Sequence, residues 1–272
     1  MMAMAMRRWP LHRGIHGISA KRALNTKPLF DENVLLPLFP ESVQETIKYG
    51  LNTQGFCILR DFASSDIAMA MRRESERLYA EGHMFQSNSV DAEGKSYPKL
   101  NVYASELNGN EWDIAPTILH YTRSIMLQAP EMLNKLFPGL QISSRAYASK
   151  LAVSLGEGAS YPKHCDTAGL PDKRKVTMVY YLNPKWKLGD GGELRVFGPD
   201  GTHVIEPHVD TLAVFWSDLV AHDVLPCENP IEDIDARRYA LTLWLVTDNP
   251  RQINDKNHHL YPLRQHHFPN TG

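Results

Sequence analysis

Apolar positions change their spacing near Pro138, and this change divides the chain into two parts. Before it, apolar residues recur mostly at helical spacing and stop at glycine or proline. The pattern first predicts a helix over 41–50, with Val43, Ile47 and Tyr49 inward and its end at Gly50, and then a strand over 55–62. A second helix is predicted from Ser64 to Gly82, followed by a polar loop over 86–99. The last element before Pro138 is a helical region over 114–136, which Pro130 is predicted to divide in two.

After Pro138 the apolar runs become short and rich in β-branched and aromatic residues. They are RAYASKLAVSL, KVTMVYYLN, GGELRVFG, DTLAVFWS and RYALTLWLV, and Gly- or Pro-containing turns separate them. Short strands with no helical segment between them favour an antiparallel sandwich or barrel over a doubly wound parallel sheet. We therefore divide the chain into a tail (1–26), a helical and strand support region (27–144), a β-rich core (145–250) and a C-terminal tail (251–272), which we expect to be a surface strap or disordered.

Composition and charge narrow the classes of partner. The chain has 272 residues, 43% of them hydrophobic, which is enough for a core that folds alone. Its net charge is -2 and its basic residues are dispersed, so no electrostatic footprint for nucleic acid is present. Three widely spaced cysteines fit neither a disulfide scaffold nor a zinc knuckle, and no apolar run reaches the roughly 20 residues of a membrane span.

The first segment is basic and has no acidic residue before Asp31. This composition is typical of an organelle transit peptide, and a mitochondrial one is the form we expect. A disordered basic tail, or an upstream start codon included with the chain, explains it equally well. With cysteines that suit a reducing compartment, we expect an intracellular location, in the cytoplasm or an organelle.

The stretch YPKHCDTAGL contains the candidate metal chemistry. Residues i and i+2 of a strand lie on one face, so His164 and Asp166 would point the same way. His222, in WSDLVAHDVLP, supplies a second imidazole after several intervening strands. Two imidazoles and one carboxylate form the facial triad of non-haem Fe(II) oxygenases. Zinc accepts the same ligand types, so these three residues alone do not choose the metal.

The strand RYALTLWLV distinguishes between these metals. Its alternation places Arg238, Ala240, Thr242 and Trp244 on one face. A buried arginine requires an anionic partner, and a carboxylate cosubstrate could meet it with two hydrogen bonds. A zinc hydrolase has no evident need for such a residue.

Six blocks in order carry a family resemblance: HCD, VTMVYYLNPKW, GGELRVF, FWSD, AHDVLP and RRYALTLW. Together they resemble the Fe(II)- and 2-oxoglutarate-dependent prolyl 4-hydroxylases, nearest the branch of the hypoxia-inducible-factor prolyl hydroxylases. The resemblance covers about 145–248 and extends weakly back to GFCILRDF. It implies a mainly β fold with N-terminal helices and a double-stranded β-helix, or jelly-roll, core.

The resemblance also implies the roles of individual residues. His164, Asp166 and His222 would be the iron ligands, and Arg238 would pair with the distal carboxylate of 2-oxoglutarate. Tyr181, Thr242 and Leu194 would complete the cosubstrate pocket. The implied cofactor is Fe(II), the cosubstrates are 2-oxoglutarate and O2, and L-ascorbic acid is an expected further ligand. The retained carboxylate of Asp166 favours hydroxylation over halogenation.

Three features depart from the oxygen-sensing relatives. Ser154 stands where they have a tyrosine near the cosubstrate, and Lys150 stands where they have an apolar side chain. Lys150 could add a cation to the site or reach solvent, and we favour solvent because lysine is rarely buried unpaired. The segment ENPIEDID (228–235) is longer than in those relatives and is expected beside the metal site, where it could shape substrate access.

Other polar and aromatic residues receive simpler interpretations. We expect Trp216 and Trp244 in the core and Tyr180 as a plain strand aromatic. Asp218 could cap the turn before His222 or lie in a surface loop. The histidines of the C-terminal tail are expected to be exposed; they are His258, His259, His266 and His267.

Three functions remain open from the sequence. The first is a 2-oxoglutarate-dependent dioxygenase that hydroxylates proline in a protein or peptide. The second is a hydroxylase of a free amino acid or small metabolite on the same fold. The third is a non-catalytic metal-binding jelly roll. Nucleic acid and membrane are not expected partners, and the sequence is silent on oligomeric state.

Overall fold

The computed structural model describes residues 7–8, 31, 33–90 and 95–269. In chain order its elements are β1 (Arg7–Arg8), α1 (Glu41–Thr53), β2 (Phe56–Leu59), α2 (Ser65–Ala80), β3 (Phe85–Val90), β4 (Ser96–Ser105), α3 (Pro116–Leu136), β5 (Ile142–Ser154), β6 (Tyr161–His164), β7 (Arg174–Tyr181), β8 (Leu194–Gly198), β9 (Gly201–Ile205), β10 (Thr211–Trp216), β11 (His222–Val224), β12 (Arg238–Thr247), a 3-10 turn (Pro250–Gln252) and α4 (Tyr261–His267).

The strands form two antiparallel sheets. Within the described ranges, the larger sheet has the order β2-β10-β7-β12-β5-β4-β3, with β1 on β5, and the smaller has the order β6-β11-β8-β9. Every pair of neighbouring strands in both sheets is antiparallel. The mainly β jelly roll with N-terminal helices is thereby confirmed.

All five strands predicted after Pro138 are present, as β5, β7, β8, β10 and β12. The apolar pattern did not predict β9 or β11, and β6 was expected only from the spacing of His164 and Asp166; the strands β6, β9 and β11 have four, five and three residues, and β6 ends at His164, before Asp166. Segments this short contain too few alternations to be recognised without their partners. Two of them, β6 and β11, carry the two candidate histidine ligands.

The N-terminal helices cover the outer face of the larger sheet. On that face of β12, Tyr239, Leu241 and Leu243 are almost completely buried. The guanidinium of Arg72, in α2, lies 4.4 Å from the centroid of the Tyr239 ring, and its Nη1 donates to the carbonyl of Arg237 at 2.8 Å. Because the helices occupy this face, the opposite face is left for a pocket between the two sheets.

Two helix predictions have different outcomes. Helix α2 is confirmed: Ser64 caps it by accepting a hydrogen bond from the backbone N–H of Ile67. Helix α1 continues three residues past Gly50, to Thr53, and Tyr49 is 71% exposed, so both its predicted end and the inward Tyr49 are wrong. Gly50 serves close packing instead, because a Cβ there would lie 2.5 Å from the Cβ of Cys57.

Two further predictions of interruption are wrong. Helix α3 passes through Pro130 without a break. The missing backbone donor is offset by burial of the neighbouring turns, including Met126, Ala129 and Leu133. The polar stretch predicted as a loop forms much of the β3–β4 hairpin, whose outer strand lies at the sheet edge and can therefore stay polar.

The terminal segments differ in how much the structure describes. The predicted tail 1–26 lies outside the described residues except for Arg7–Arg8, whose backbone pairs with β5. The C-terminal segment is ordered as a strap that ends in α4, with Tyr261 and Arg264 buried. None of the described helices has the length and apolar character needed to cross a bilayer.

The close approach at Gly50 yields a stability prediction. Gly50→Ala should lower the melting temperature, because the added Cβ would meet Cys57 and the Phe56 carbonyl at 2.5 and 2.6 Å. Such overpacking costs about 1–3 kcal/mol, more than the roughly 1 kcal/mol gained in helix propensity. Lys48→Ala, on the exposed side of the same helix, is the control for thermal unfolding. A higher melting temperature for Gly50→Ala would contradict this packing.

Candidate metal centre and cosubstrate pocket

The two candidate histidines lie on neighbouring strands of the smaller sheet. His222, the first residue of β11, is directly opposite His164, the last residue of β6. Their ring centroids are 4.3 Å apart. Asp166 follows two residues after His164, where the chain leaves the strand. One antiparallel strand pairing therefore brings together residues that are far apart in the sequence.

These three side chains form a compact group of metal-ligand atoms. His164 Nε2 lies 3.6 Å from Asp166 Oδ1, and His222 Nε2 lies 3.9 Å from Asp166 Oδ2. One candidate ligand atom from each residue lies within 4.8 Å of the others. The His222 side chain is 6% exposed and that of His164 is 38% exposed. The group is thus open on the His164 side.

Backbone carbonyls set the orientation of both imidazoles. His164 Nδ1 lies 2.7 Å from the carbonyl of Pro162, and His222 Nδ1 lies 3.2 Å from the carbonyl of Val220. Because a carbonyl can only accept, each Nδ1 must carry the proton. Both Nε2 atoms, which face Asp166, are left with a free lone pair as metal ligation requires.

Hydrogen bonds also hold the Asp166 carboxylate. Thr177, on β7, donates its hydroxyl to Asp166 Oδ2 at 2.6 Å and lies 2.7 Å from the Ser217 hydroxyl. Arg174 donates to the main-chain carbonyl of Asp166 and pairs with Asp172. Thr177 was not among the residues predicted from the sequence, although it shares a strand face with Tyr181 and that alternation could have located it.

The charges of the group suit metal binding. Burial acts to raise the pKa of Asp166, but His222, His164 and Arg174 outweigh it and hold the pKa well below its usual range. Burial and the nearby His164 lower the pKa of His222 to about 4, against the opposing effect of Asp166. At neutral pH the group therefore offers a carboxylate and a neutral His222 imidazole.

The floor of the pocket is a three-strand grid formed by β7, β12 and β5. Its rows are set by register: Thr177, Trp244 and Ala148 at one end; then Val179, Thr242 and Lys150; then Tyr181, Ala240 and Ala152; and finally Arg238 beside Ser154. Thr177 contacts Asp166, so the first row is the metal end. Arg238 lies at the opposite end, about 13 Å of extended backbone from Lys150.

All seven residues predicted for the metal and cosubstrate line one cavity of about 250 Å³. They are His164, Asp166, His222, Arg238, Tyr181, Thr242 and Leu194. Tyr180 points away, donating its hydroxyl to Asp210 at 2.6 Å, so Tyr181 alone of this pair faces the cavity. Trp216 is a core residue, whereas buried Trp244 also contributes to the cavity wall.

Arg238 is a buried cation that has no acidic partner among the described residues. It is 6% exposed, and its Nε donates to the carbonyl of Gly192 at 2.6 Å. No carboxylate of the described residues lies within 4.0 Å of its guanidinium. Its Cζ is 5.1 Å from the centroid of the Tyr181 ring. Its unmatched charge makes this end of the cavity suitable for an anion.

Gly192 allows this close approach. A Cβ at Gly192 would lie 2.7 Å from Arg238 Cδ and 2.9 Å from Cys227 Sγ, and its φ of +76° is also unfavourable for other residues. The glycine pair in GGELRVF therefore makes room for the arginine side chain.

The structure locates the three features in which the sequence differs from the oxygen-sensing relatives. Lys150 is half-buried: its Nζ donates to Ser87 at 2.8 Å and its side chain lines the cavity, so it adds a cation to the site and the favoured solvent position is wrong. Ser154 is buried beside Arg238. The segment 228–235 does not line the cavity; it packs against the 156–158 turn, where Glu157 donates to the carbonyl of Asn229 at 2.9 Å.

Asp218 is fully buried and forms an ion pair that the sequence did not reveal. Both of its oxygens accept from Lys175 Nζ at 3.0 Å, and Oδ2 also accepts from the backbone N–H of Asn254 at 2.8 Å. Arg264, in α4, donates to the main-chain carbonyls of Asp218 and Thr167. The surface-loop interpretation of Asp218 is therefore wrong, and the turn before His222 is held from two sides.

The C-terminal histidines are only partly as expected. His259 and His266 are exposed, but His258 and His267 are half-buried. Burial and nearby Lys175 lower the pKa of His258 to about 4. These histidines form no group of three candidate metal ligands among the described residues.

Comparison with known proteins identifies the β-rich core. Residues 149–246 match the model of the 2OG-Fe(II) oxygenase superfamily, where 2OG is 2-oxoglutarate. This part of the chain is a 2OG-Fe(II) oxygenase domain. Its matched range includes the three candidate metal ligands and Arg238.

Relatives of this oxygenase domain include prolyl hydroxylases. The chain is 27% identical over 223 residues to the hypoxia-inducible factor prolyl hydroxylase of Caenorhabditis elegans, covering 77% of this chain and 29% of that protein. It is 29% identical over 210 residues to the human prolyl hydroxylase EGLN3, covering 71% of this chain and 79% of that protein. The chain thus spans less than a third of the length of the nematode relative.

A solved structure shows the same likeness. It is a prolyl hydroxylase from Trichoplax adhaerens in complex with a peptide fragment of the hypoxia inducible factor oxygen degradation domain. The TM-score is 0.66 at 28% identity, covering 78% of this chain and 92% of that one. The shared fold extends beyond the oxygenase domain into the support region.

The residues present in the oxygenase domain fit the groups that its family uses. Two Nε2 atoms and one carboxylate are a donor set suited to Fe(II), and they leave coordination positions for further ligands. The buried, unmatched guanidinium of Arg238 suits the free carboxylate of 2-oxoglutarate.

The hydrogen bond from Thr177 to Asp166 yields a prediction about metal affinity. Thr177→Val keeps the shape but removes the hydroxyl donor, so affinity for Co(II) should fall about 10- to 100-fold. Titration followed by the visible spectrum of Co(II) measures this change. Thr202→Val, on the exposed strand β9, is the matched control. Equal Co(II) affinity in the Thr177→Val variant and the parent would show that the Thr177 hydroxyl does not support metal binding.

Proposed function

We propose that this chain is an Fe(II)- and 2-oxoglutarate-dependent dioxygenase that hydroxylates a C–H bond, and that the reaction is prolyl 4-hydroxylation of a protein or peptide. The observation that carries the proposal is one cavity with the His164, Asp166 and His222 group at one end and unmatched Arg238 at the other. Succinate and CO2 would be the co-products.

The protein's own residues have defined parts in this reaction. His164, Asp166 and His222 would hold the metal, while Arg238 would bind the distal carboxylate of 2-oxoglutarate with Tyr181 and Thr242 beside it. Bound iron and 2-oxoglutarate supply the oxidant that inserts oxygen from O2 into the substrate. Leu194, Phe215 and Trp244 are buried wall residues that would exclude water from the cosubstrate.

The substrate class rests on the relatives. The nematode and human relatives are named prolyl hydroxylases, and the Trichoplax enzyme was solved with a peptide. These names support a proline in a protein or peptide as the target here. Binding of ascorbate and the intracellular location remain predictions.

A second candidate function is hydroxylation of a free amino acid or small metabolite. Ser154, smaller than the tyrosine of the relatives, and Lys150, a cation inside the cavity, both favour it. A non-catalytic metal-binding role is less well supported, because metal binding alone would not need the buried charge of Arg238.

Turnover of 2-oxoglutarate tests the catalytic proposal. After anaerobic reconstitution with Fe(II) and addition of O2, the parent should form succinate, and His164→Ala should form far less because one of three metal ligands is lost. His203→Ala, on β9 and outside the cavity, is the matched control. Equally low succinate in the parent and His164→Ala would reject catalysis.

Binding of 2-oxoglutarate tests the role of Arg238. With Zn(II) in place of Fe(II), Arg238→Ala should weaken 2-oxoglutarate binding by about 10-fold or more, because a charge-assisted pair is lost. Arg238→Lys should restore only part of the affinity, since ammonium lacks the planar fork. Arg60→Ala, at an exposed arginine, is the control for calorimetry. Unchanged affinity in Arg238→Ala would place the cosubstrate elsewhere.

Capture of the substrate tests its class. A His222→Ala variant should retain partners without turning them over, and mass spectrometry can then search for hydroxyproline in those partners after treatment with the parent enzyme. Hydroxylation at residues other than proline, or only of free amino acids, would favour the second candidate function.

A further inference from the structure

The cavity contains two lysines that the proposed reaction does not use. Lys99, on β4, and Lys150, on β5, both line it together with Asp166. Lys150 occupies the row next to the metal end of the grid, opposite Thr242. Asp166 acts electrostatically on both ammonium groups, so both lysines lie toward the metal end of the cavity.

Neither lysine forms a salt bridge with an acidic residue in the described part of the chain. Lys150 donates to the Ser87 hydroxyl at 2.8 Å, and Lys99 Nζ lies 4.1 Å from the centroid of the Tyr161 ring. No carboxylate within the described ranges lies within 4.0 Å of either ammonium group. Arg174, which also lines the cavity, differs because Asp172 pairs with it.

The two ammonium groups are close enough to affect each other. Burial and the charge of Lys150 together lower the pKa of Lys99 to about 8, against the opposing effect of Asp166. The pKa of Lys150 is also lowered, mainly by burial, against the opposing effects of Glu106 and Asp166. Two partly desolvated cations of this kind are stabilised by an anion bound between them.

The cosubstrate does not supply that anion in the proposed arrangement. One carboxylate of 2-oxoglutarate would face the metal and the other would pair with Arg238, at the opposite end of the grid from the metal. Both negative charges of the cosubstrate are therefore matched without Lys99 or Lys150. Of the molecules in the proposed reaction, the substrate is then the one left to supply an anion to these two lysines.

We propose that Lys99 and Lys150 bind a carboxylate of the substrate beside the carbon that is oxidised. This inference rests on the proposed function and specifies its substrate as acidic at that position. The carboxylate has two possible sources: an Asp or Glu side chain next to the target residue of a peptide, or the free α-carboxylate of a terminal residue or amino acid.

Matched peptides separate these sources. The first pair is acetyl-Ala-X-Pro-X-Ala-amide with X as Glu or Gln, and the second is acetyl-Ala-Ala-Pro as free acid or amide. Each is titrated into full-length protein loaded with Zn(II) and 2-oxoglutarate. In at least one pair the acid should bind about 10-fold or more tightly than its neutral partner. The pair that shows the preference identifies the source.

Variants link the preference to the two lysines. Lys99→Gln combined with Lys150→Met should reduce it to less than about threefold, while Lys95→Gln, on the same hairpin and outside the cavity, should retain it. Lys99→Glu should instead favour the first peptide with X as Lys. Such a reversal cannot result from unfolding.

Several outcomes would overturn the inference. The first is equal binding of acid and neutral peptide within both pairs, which includes no detectable binding. The second is an acid preference that persists in the double variant. The third is a loss of 2-oxoglutarate affinity in Lys150→Met. Titration with 2-oxoglutarate alone comes first. If it does not bind, the proposed function fails; if it binds but no acid preference follows, only this inference fails.

Discussion

The pairing of β6 with β11 is the interaction on which the metal site depends, because it places His222 directly opposite His164. A slip of one residue would turn one imidazole to the other face of the sheet and separate the ligands. The paired strands are only four and three residues long, so they need outside support. The buried Lys175–Asp218 pair and Arg264 of α4 provide it at the turn before His222.

The larger sheet supplies the second half of the site through its register. Rows across β7, β12 and β5 run from Thr177, which contacts Asp166, to Arg238. Burying an unmatched charge is expensive, so a cavity with Arg238 at one end and two lysines nearer the metal is stabilised by bound anions. The fold thus provides two sites for anions. Arg238 would bind the cosubstrate, and Lys99 and Lys150 would bind the carboxylate that we propose for the substrate.

Sequence patterns located much of this arrangement, and the physical reasons for success and failure are specific. Strand alternation placed Arg238 and Thr242 correctly because β12 is long and its two faces differ. It left open whether Lys150 enters the cavity or reaches solvent, since its partner Ser87 comes from a hairpin in a mostly polar segment. The Lys175–Asp218 pair and the contact of Gly50 with Cys57 were also invisible, because they join residues on different elements.

A crystal structure of the protein crystallised anaerobically with Mn(II) and 2-oxoglutarate is the most direct test of where the metal and the cosubstrate bind. We predict that Mn(II) is bound by His164, Asp166 and His222, with the far carboxylate of 2-oxoglutarate on Arg238 and no carboxylate of the cosubstrate on Lys150. Metal bound away from these three residues, or a cosubstrate held by Lys150 in place of Arg238, would contradict it.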